Sequence, residues 1–130
     1  MSIIKHMDQP IAKGYYSKII NRKIVTSDIG AKSCTVWDQI IPPGGYIVPH
    51  YHEFEESLTF LTGCFQVTIE DEHFQIVDTP TTLFIRPYLV HSILNQGDEP
   101  VQIIALLMSA SPKTIYLDGT PEPVNWEVES

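Results

Sequence analysis

Positive charge is scarce in this chain. Only 8 Lys and Arg residues stand against 16 Asp and Glu, which gives a formal net charge of −8 over 130 residues. The basic residues form no cluster, and a protein that binds nucleic acid needs clustered Lys and Arg to neutralise the phosphates. We therefore expect no nucleic-acid partner.

Cysteines and long apolar runs are also rare. The two cysteines, Cys34 and Cys64, favour reduced thiols over a disulfide framework. The longest apolar stretch, Ile103–Met108, is far too short to cross a bilayer. A signal peptide has an apolar run after its charged N-terminal residues, and no such run follows the charged residues around Lys5. We expect a cytoplasmic protein with no membrane partner.

Several familiar catalytic motifs are missing as well. The chain has no glycine-rich phosphate loop, no Gly-x-Ser-x-Gly nucleophile elbow and no Cys-x-x-Cys pair. Nothing in the sequence therefore supports nucleotide hydrolysis, serine-hydrolase chemistry or dithiol redox chemistry.

Short runs of β-branched and aromatic residues fill the space between 10 prolines and 7 glycines. This pattern is typical of an all-β protein built from short strands, and the length fits a single domain over residues 1–130. We predict nine strands: Ile19–Val25, Cys34–Ile41, Tyr46–His52, Ser57–Leu61, Phe65–Ile69, His73–Val77, Leu83–Arg86, His91–Asn95 and Val101–Leu107.

The segment His50–Leu61 allows a second interpretation. Phe54, Leu58 and Leu61 recur at a spacing that also fits one face of an amphipathic helix. Pro49 before the segment and Gly63 after it leave little room for a stable helix. The strand interpretation is therefore favoured.

The most informative motif is a pair of histidines followed by an acid. In an extended chain His50, His52 and Glu56 have the same parity, so their side chains point to one face. Two imidazoles and a carboxylate on one face can bind a divalent metal. Glu53 and Glu55 compete for the role of the acid, but their parity directs them away from the histidines.

The spacing of this motif resembles the first signature of the cupin superfamily at every specified position: Gly44-x5-His50-x-His52-x3-Glu56-x6-Gly63. The family's second signature is a Gly, a Pro and a Gly, ending in His-x3-Asn. His91 and Asn95 fit that ending, whereas Pro80, Arg86 and Tyr88 replace the Gly, the Pro and the Gly. Tyr88 cannot take positive φ angles as freely as Gly does.

The resemblance implies a fold and a cofactor. The expected fold is an all-β double-stranded β-helix, or jelly-roll barrel, over about residues 30–110, flanked by segments 1–29 and 112–130. It implies one divalent transition metal per chain (Fe, Mn, Ni, Co or Zn), bound by His50, His52, Glu56 and His91. The long N-terminal segment and the habit of similar family members also predict a homodimer, in which terminal segments pair with a second subunit; the alternative is that they cover the outer face of their own barrel. A light-scattering mass equal to the 14.7 kDa of one chain would contradict the homodimer.

A substrate pocket beside the metal can be drawn from polar and aromatic residues. The candidates are Gln39, Tyr46, Phe60, Arg86, Tyr88 and Asn95. Arg86 can clamp a carboxylate or phosphate, or simply be an exposed rim residue. Gln39 and Asn95 can fix an imidazole tautomer, or bond to the backbone at strand ends. For the aromatic candidates, core packing is the alternative.

Two classes of function follow. The first is a metal-dependent enzyme that acts on a small organic molecule, with the metal as a Lewis acid for isomerase, lyase or cyclase chemistry, or as an oxygen-activating centre for a dioxygenase. Glu56 is its candidate catalytic residue, because it can leave the metal and act as a general base. The alternative is a non-catalytic cupin that binds or senses a small ligand.

Overall fold

The computed structural model describes residues 1–13, 19–119 and 127–128, and its regular structure is almost entirely β-strand. Two short 3-10 helices lie at His6–Asp8 and Ser27–Ile29. The strands of the described residues are β1 (Ile11–Lys13), β2 (Ile20–Val25), β3 (Thr35–Ile41), β4 (Tyr46–Tyr51), β5 (Glu56–Thr62), β6 (Phe65–Ile69), β7 (Glu72–Ile76), β8 (Thr81–Ile85), β9 (His91–Leu94), β10 (Val101–Leu107), β11 (Ile115–Tyr116) and β12 (Glu127–Val128).

The strands form two antiparallel sheets. One has seven strands in the order β12-β1-β2-β3-β10-β5-β8, and the other has five in the order β11-β4-β9-β6-β7. From β3 to β11, every connection except the β6–β7 hairpin carries the chain from one sheet to the other. This alternation defines a jelly-roll, so the predicted double-stranded β-helix is confirmed.

All nine predicted strands are present, each with ends within two residues of the prediction. The helical interpretation of His50–Leu61 is wrong, because β4 and β5 occupy this segment with an irregular bend between them. The short strands β1, β11 and β12 were not predicted. No helix in the part of the chain described here is long and apolar enough to cross a membrane.

The apolar core lies in the space between the sheets. Ile41, Phe60 and Val101 are fully buried there, and the ring of Phe60 stacks on that of Phe65 with centroids 3.8 Å apart. Along β5, Phe60 lies four residues from Glu56, which is roughly 13 Å in an extended strand. Glu56 therefore lies toward the other end of β5 from Phe60, beside the core residues Ile85 and Leu107 with which it pairs.

Candidate metal centre

A β-bulge in β4 turns His50 toward the interior. Ile47 pairs with Ile93 and His50 pairs with His91, with a register shift between the two pairs. In a regular strand, residues three apart would face opposite sides, whereas the extra residue of a bulge lets both face the same side. Ile93 and His91 are both buried, so this bulge gives His50 its interior position.

The four predicted ligands lie at neighbouring strand ends and meet in one place. His52 follows β4, Glu56 begins β5 and His91 begins β9. All four residues are buried, and each is at most 6% exposed. One ring nitrogen from each of His50, His52 and His91 lies within 4.8 Å of the others. The oxygens of Glu56 lie 3.1 Å from His91 Nε2 and 3.5 Å from His52 Nε2.

The chain bends between His52 and Glu56, so strand parity does not carry across these residues. Glu56 nevertheless reaches the site because it begins a new strand. Glu53 and Glu55, on the bend, are exposed.

Backbone carbonyls fix the tautomer of all three imidazoles. The Nδ1 atoms of His50, His52 and His91 lie 2.7, 2.8 and 2.9 Å from the carbonyl oxygens of Val48, Lys113 and Leu89. Because a carbonyl can only accept, each Nδ1 carries a proton and donates it. In a neutral imidazole this leaves the lone pair on Nε2, which is the form that binds a metal.

Two buried atoms in this cluster lack a hydrogen bond. They are Glu56 Oε1 and His91 Nε2, and they face each other across 3.1 Å. With the proton on Nδ1, both atoms present lone pairs, so neither can satisfy the other. A shared cation would satisfy both. The set of three imidazoles and one carboxylate suits a divalent transition metal. It lacks the thiolates that are typical of a structural zinc site.

Burial and mutual charge keep the ligands in the right ionisation states. Burial, followed by the positive charge of protonated His91 and His52, lowers the pKa of His50 from 6.5 to about 3. Burial alone would raise the pKa of Glu56. Hydrogen bonds that His52 and His91 donate when protonated outweigh it, and hold the pKa of Glu56 below its usual 4.5. The two shifts thus favour neutral His50 and ionised Glu56, the states in which these groups bind a metal.

Four of the six pocket candidates, including Gln39, lie away from this centre. Tyr46 pairs with Leu94, next to the inward-facing pair Ile47 and Ile93, so Tyr46 faces out of the barrel and is 42% exposed. The bulge causes this difference from the sequence-based expectation, since strand parity alone places Tyr46 with His50. Phe60 is a core residue stacked on Phe65.

Asn95 has a structural role at a turn. Its Nδ2 donates to the carbonyls of Ile41 and Glu99, each at 2.8 Å, and its Oδ1 accepts from the Gly97 N–H. These bonds use the whole amide. The tautomer-fixing role expected for Asn95 and Gln39 is filled instead by the backbone carbonyls. Gln39 lies on the interior face of β3 and is 8% exposed.

Arg86 and Tyr88 lie on the turn between β8 and β9, at the same end of the barrel as the histidines. Both are exposed. Tyr88 adopts a left-handed backbone with φ of 68°, so it takes the conformation that the family's Gly would supply. Its N–H donates to the His52 carbonyl at 2.7 Å, and its ring lies 5.9 Å from that of Tyr51. The turn is thereby tied to a candidate ligand.

Two contacts at the site were not predicted. The ring of Phe54 stacks on that of His52 with centroids 5.0 Å apart. The carbonyl of Lys113 orients His52 from 61 residues away in the chain. The apolar character of Phe54 was a usable signal, whereas no sequence pattern marks a backbone carbonyl.

The fold and the site together define a class: a small two-sheet β-barrel with three buried imidazoles and a carboxylate gathered at one end. Residues 37–107, more than half of the chain, match the family described as Cupin domain. The chain therefore belongs to the cupin family.

Solved structures with similar folds come from several bacteria. The polyketide cyclase RemF from Streptomyces resistomycificus has a TM-score of 0.79 and 16% identity, covering 90% of this chain and 85% of that one. A predicted oxalate decarboxylase from Thermotoga maritima has a TM-score of 0.72 and 16% identity, covering 83% and 99%. KdgF from Halomonas sp. has a TM-score of 0.68 and 13% identity, covering 83% and 94%. Such low identities show a common fold only. No curated protein sequence matches this chain.

Proposed function

We propose that this protein is a metal-dependent cupin enzyme that acts on a small organic molecule. One divalent transition metal per chain would be bound by His50, His52, His91 and Glu56. The observation that carries this proposal is the convergence of three imidazoles, all in the Nδ1-protonated tautomer, on a buried carboxylate oxygen without a hydrogen bond.

A reaction that depends on polarising an oxygen atom suits this site. A bound divalent metal supplies Lewis acidity toward a carbonyl or enol oxygen of the substrate. The neighbouring imidazoles lower the pKa of Glu56 and so favour its ionised form, which can accept a proton from the carbon next to that carbonyl. The same carboxyl can return the proton at a neighbouring atom, which is the proton transfer that isomerases, lyases and cyclases need.

Two of the similar folds support catalysis over simple binding. One is called a polyketide cyclase and the other a predicted oxalate decarboxylase. A fold can serve many functions, so these names add to the argument from the site and do not replace it. The small molecule would reach a site buried from bulk water, where electrostatic interactions are stronger than in solution.

A proton-exchange experiment tests the proposal. Hydroxyacetone can chelate a metal through its two oxygens, and its carbon-bound protons exchange slowly in D2O. We expect the zinc-loaded protein to accelerate that exchange, followed by proton NMR. A general base typically contributes about 100-fold to 10,000-fold, so Glu56→Gln should lose at least about 100-fold of the rate.

The matched control is Glu53→Gln, which changes an exposed carboxylate three residues away. It should keep both the rate and the zinc content. Hydroxyacetone that binds the zinc-loaded protein without faster exchange would favour the non-catalytic alternative.

A further inference from the structure

The short strand β11 borders the candidate metal centre. It lies at the edge of the five-stranded sheet, where Ile115 pairs with Tyr51 and Tyr116 pairs with His50. Partners across an antiparallel pair share a face, so Tyr116 faces the same side as His50. Their ring centroids lie 6.2 Å apart. This part of the chain is therefore a neighbour of the site, although it lies outside both family signatures.

Two backbone groups beside β11 bond to the part of the chain that carries the ligands. The carbonyl of Lys113 accepts from His52 Nδ1 at 2.8 Å, and the N–H of Leu117 donates to the Pro49 carbonyl at 3.3 Å. We call residues 113–117 the clasp. None of its five residues is buried, so its attachment depends on a few backbone contacts. Such segments are the ones that open locally at low cost in free energy.

Burial of the site makes an opening necessary. Each of the four candidate ligands is at most 6% exposed, so a metal ion can reach them only when part of the surrounding chain moves. The clasp is a short edge segment in contact with His50 and His52, and its movement would leave the other strands of both sheets paired.

One hydrogen bond links this movement to metal binding. When the clasp opens, the Lys113 carbonyl leaves His52, and the imidazole is no longer fixed in the tautomer that presents Nε2 to a metal. A metal at Nε2 conversely holds the ring in the position in which Nδ1 donates to that carbonyl. Thermodynamic linkage requires the two events to favour each other to the same extent.

We propose that residues 113–117 form a metal-dependent clasp, which closes against β4 when His52 binds the metal and opens more readily in the metal-free chain. This inference rests on the proposed function, because it requires a metal at His52. Loss of a group that orients a metal-bound histidine commonly costs about 10-fold to 100-fold in metal affinity. By linkage, the metal should shift the equilibrium between the closed and open clasp by a similar factor.

Limited proteolysis tests the proposal, because the clasp contains a trypsin site. Trypsin cleaves after Lys, and it must take the carbonyl of that Lys into its own oxyanion hole. In the closed clasp the Lys113 carbonyl is bound to His52, so trypsin can cut there only after opening. We expect one equivalent of zinc to slow cleavage after Lys113 by about 10-fold to 100-fold relative to the chelator-treated protein, as followed by mass spectrometry.

Two other lysines serve as internal controls. Lys5 is exposed in the N-terminal segment, and zinc should leave the rate of cleavage after it unchanged. Lys23 lies within β2, and the chain can be cut after it only when the sheet itself unfolds. The first cut in the metal-free chain should therefore follow Lys113 and not Lys23.

Two substitutions of Leu117 separate the clasp from the ligands. Leu117→Pro removes the N–H that binds the Pro49 carbonyl, whereas Leu117→Ala keeps it and changes only an exposed side chain. In the zinc-loaded protein, Leu117→Pro should speed cleavage after Lys113 by roughly 3-fold to 10-fold, the range expected for one neutral hydrogen bond. Leu117→Ala should be cut at the parent's rate, and both variants should still bind zinc.

Three results would overturn the clasp and leave the proposed function intact. They are a parent that binds zinc but is cut after Lys113 at the same rate without it, a first cut after Lys23, and equal cleavage of Leu117→Pro and Leu117→Ala. A parent that binds no zinc would overturn both the clasp and the proposed function.

Discussion

Individual residues determine whether this barrel can hold a cation. Residue type and spacing indicated His50, His52, Glu56 and His91 as candidate ligands, and the structure brings all four together. The sequence could not indicate their tautomers, because those depend on carbonyls of residues such as Lys113 that the fold brings close.

The ionisation of the ligands predicts how stability depends on pH. The pKa of His50 is about 3 in the folded chain and 6.5 when exposed, so the unfolded chain binds the extra proton as the pH falls below 6.5. The pKa of Glu56 is also lowered, so the unfolded chain again binds the proton first, below pH 4.5. Both effects destabilise the metal-free protein at acidic pH.

We expect the free energy of unfolding of the metal-free chain to fall by about 1.4 kcal/mol per pH unit for each such proton. Urea denaturation at pH 7.5, 6.5, 5.5 and 4.5 measures it. His50→Gln should flatten the dependence between pH 6.5 and 4.5, whereas His73→Gln, at an exposed site, should not. A dependence that His50→Gln leaves unchanged would contradict the assignment.

At the scale of secondary-structure elements, the strands were predictable and their local irregularities were not. Every predicted strand was located to within two residues at each end, mostly by turn signals that contain Pro or Gly. The bulge between Ile47 and His50 has no such signal, and it reversed the expected direction of Tyr46. The turn at Tyr88 is similar: the replacement of Gly was visible in the sequence, but the hydrogen bond that holds the turn was not.

Substitutions at Tyr88 test the role of this turn. Gly takes a φ of 68° without strain but gains freedom in the unfolded chain, and these effects oppose each other. Tyr88→Gly should therefore change the free energy of unfolding by less than about 1 kcal/mol. A β-branched residue is much less compatible with this conformation, so Tyr88→Val should cost about 1–3 kcal/mol.

The same urea denaturation measures both variants. Since the Tyr88 N–H binds the His52 carbonyl, Tyr88→Val should also weaken zinc binding, and Tyr88→Gly should not. Equal stability of the two variants would show that the left-handed conformation places no constraint on this turn.

At the scale of the whole molecule, the centre exists because the two sheets face each other. Glu56 belongs to the seven-stranded sheet, while His50 and His91 belong to the five-stranded sheet. Strand periodicity predicts such strands, but it cannot predict which strand ends meet. The cupin signature carried that information, since it links residues of distant strands that periodicity treats as unrelated.

The predicted homodimer remains a prediction at this scale. Exposed apolar side chains, Phe84 and Leu106, both pair with Ser57 and so lie in one row on the outer face of the seven-stranded sheet. A second copy that covered this row would bury apolar area that a monomer leaves in water.

Metal content tests the central claim most directly. Elemental analysis of the protein, purified without a chelator or a histidine tag, should find close to one divalent transition metal per chain. Loss of a supporting residue commonly costs about 10-fold to 100-fold in metal affinity, so loss of the ligand in His52→Ala should cost at least as much and leave the chain largely metal-free. His73→Ala, at an exposed histidine, should keep the parent's content. A metal-free parent, or a His52→Ala variant with a full complement of metal, would contradict the account.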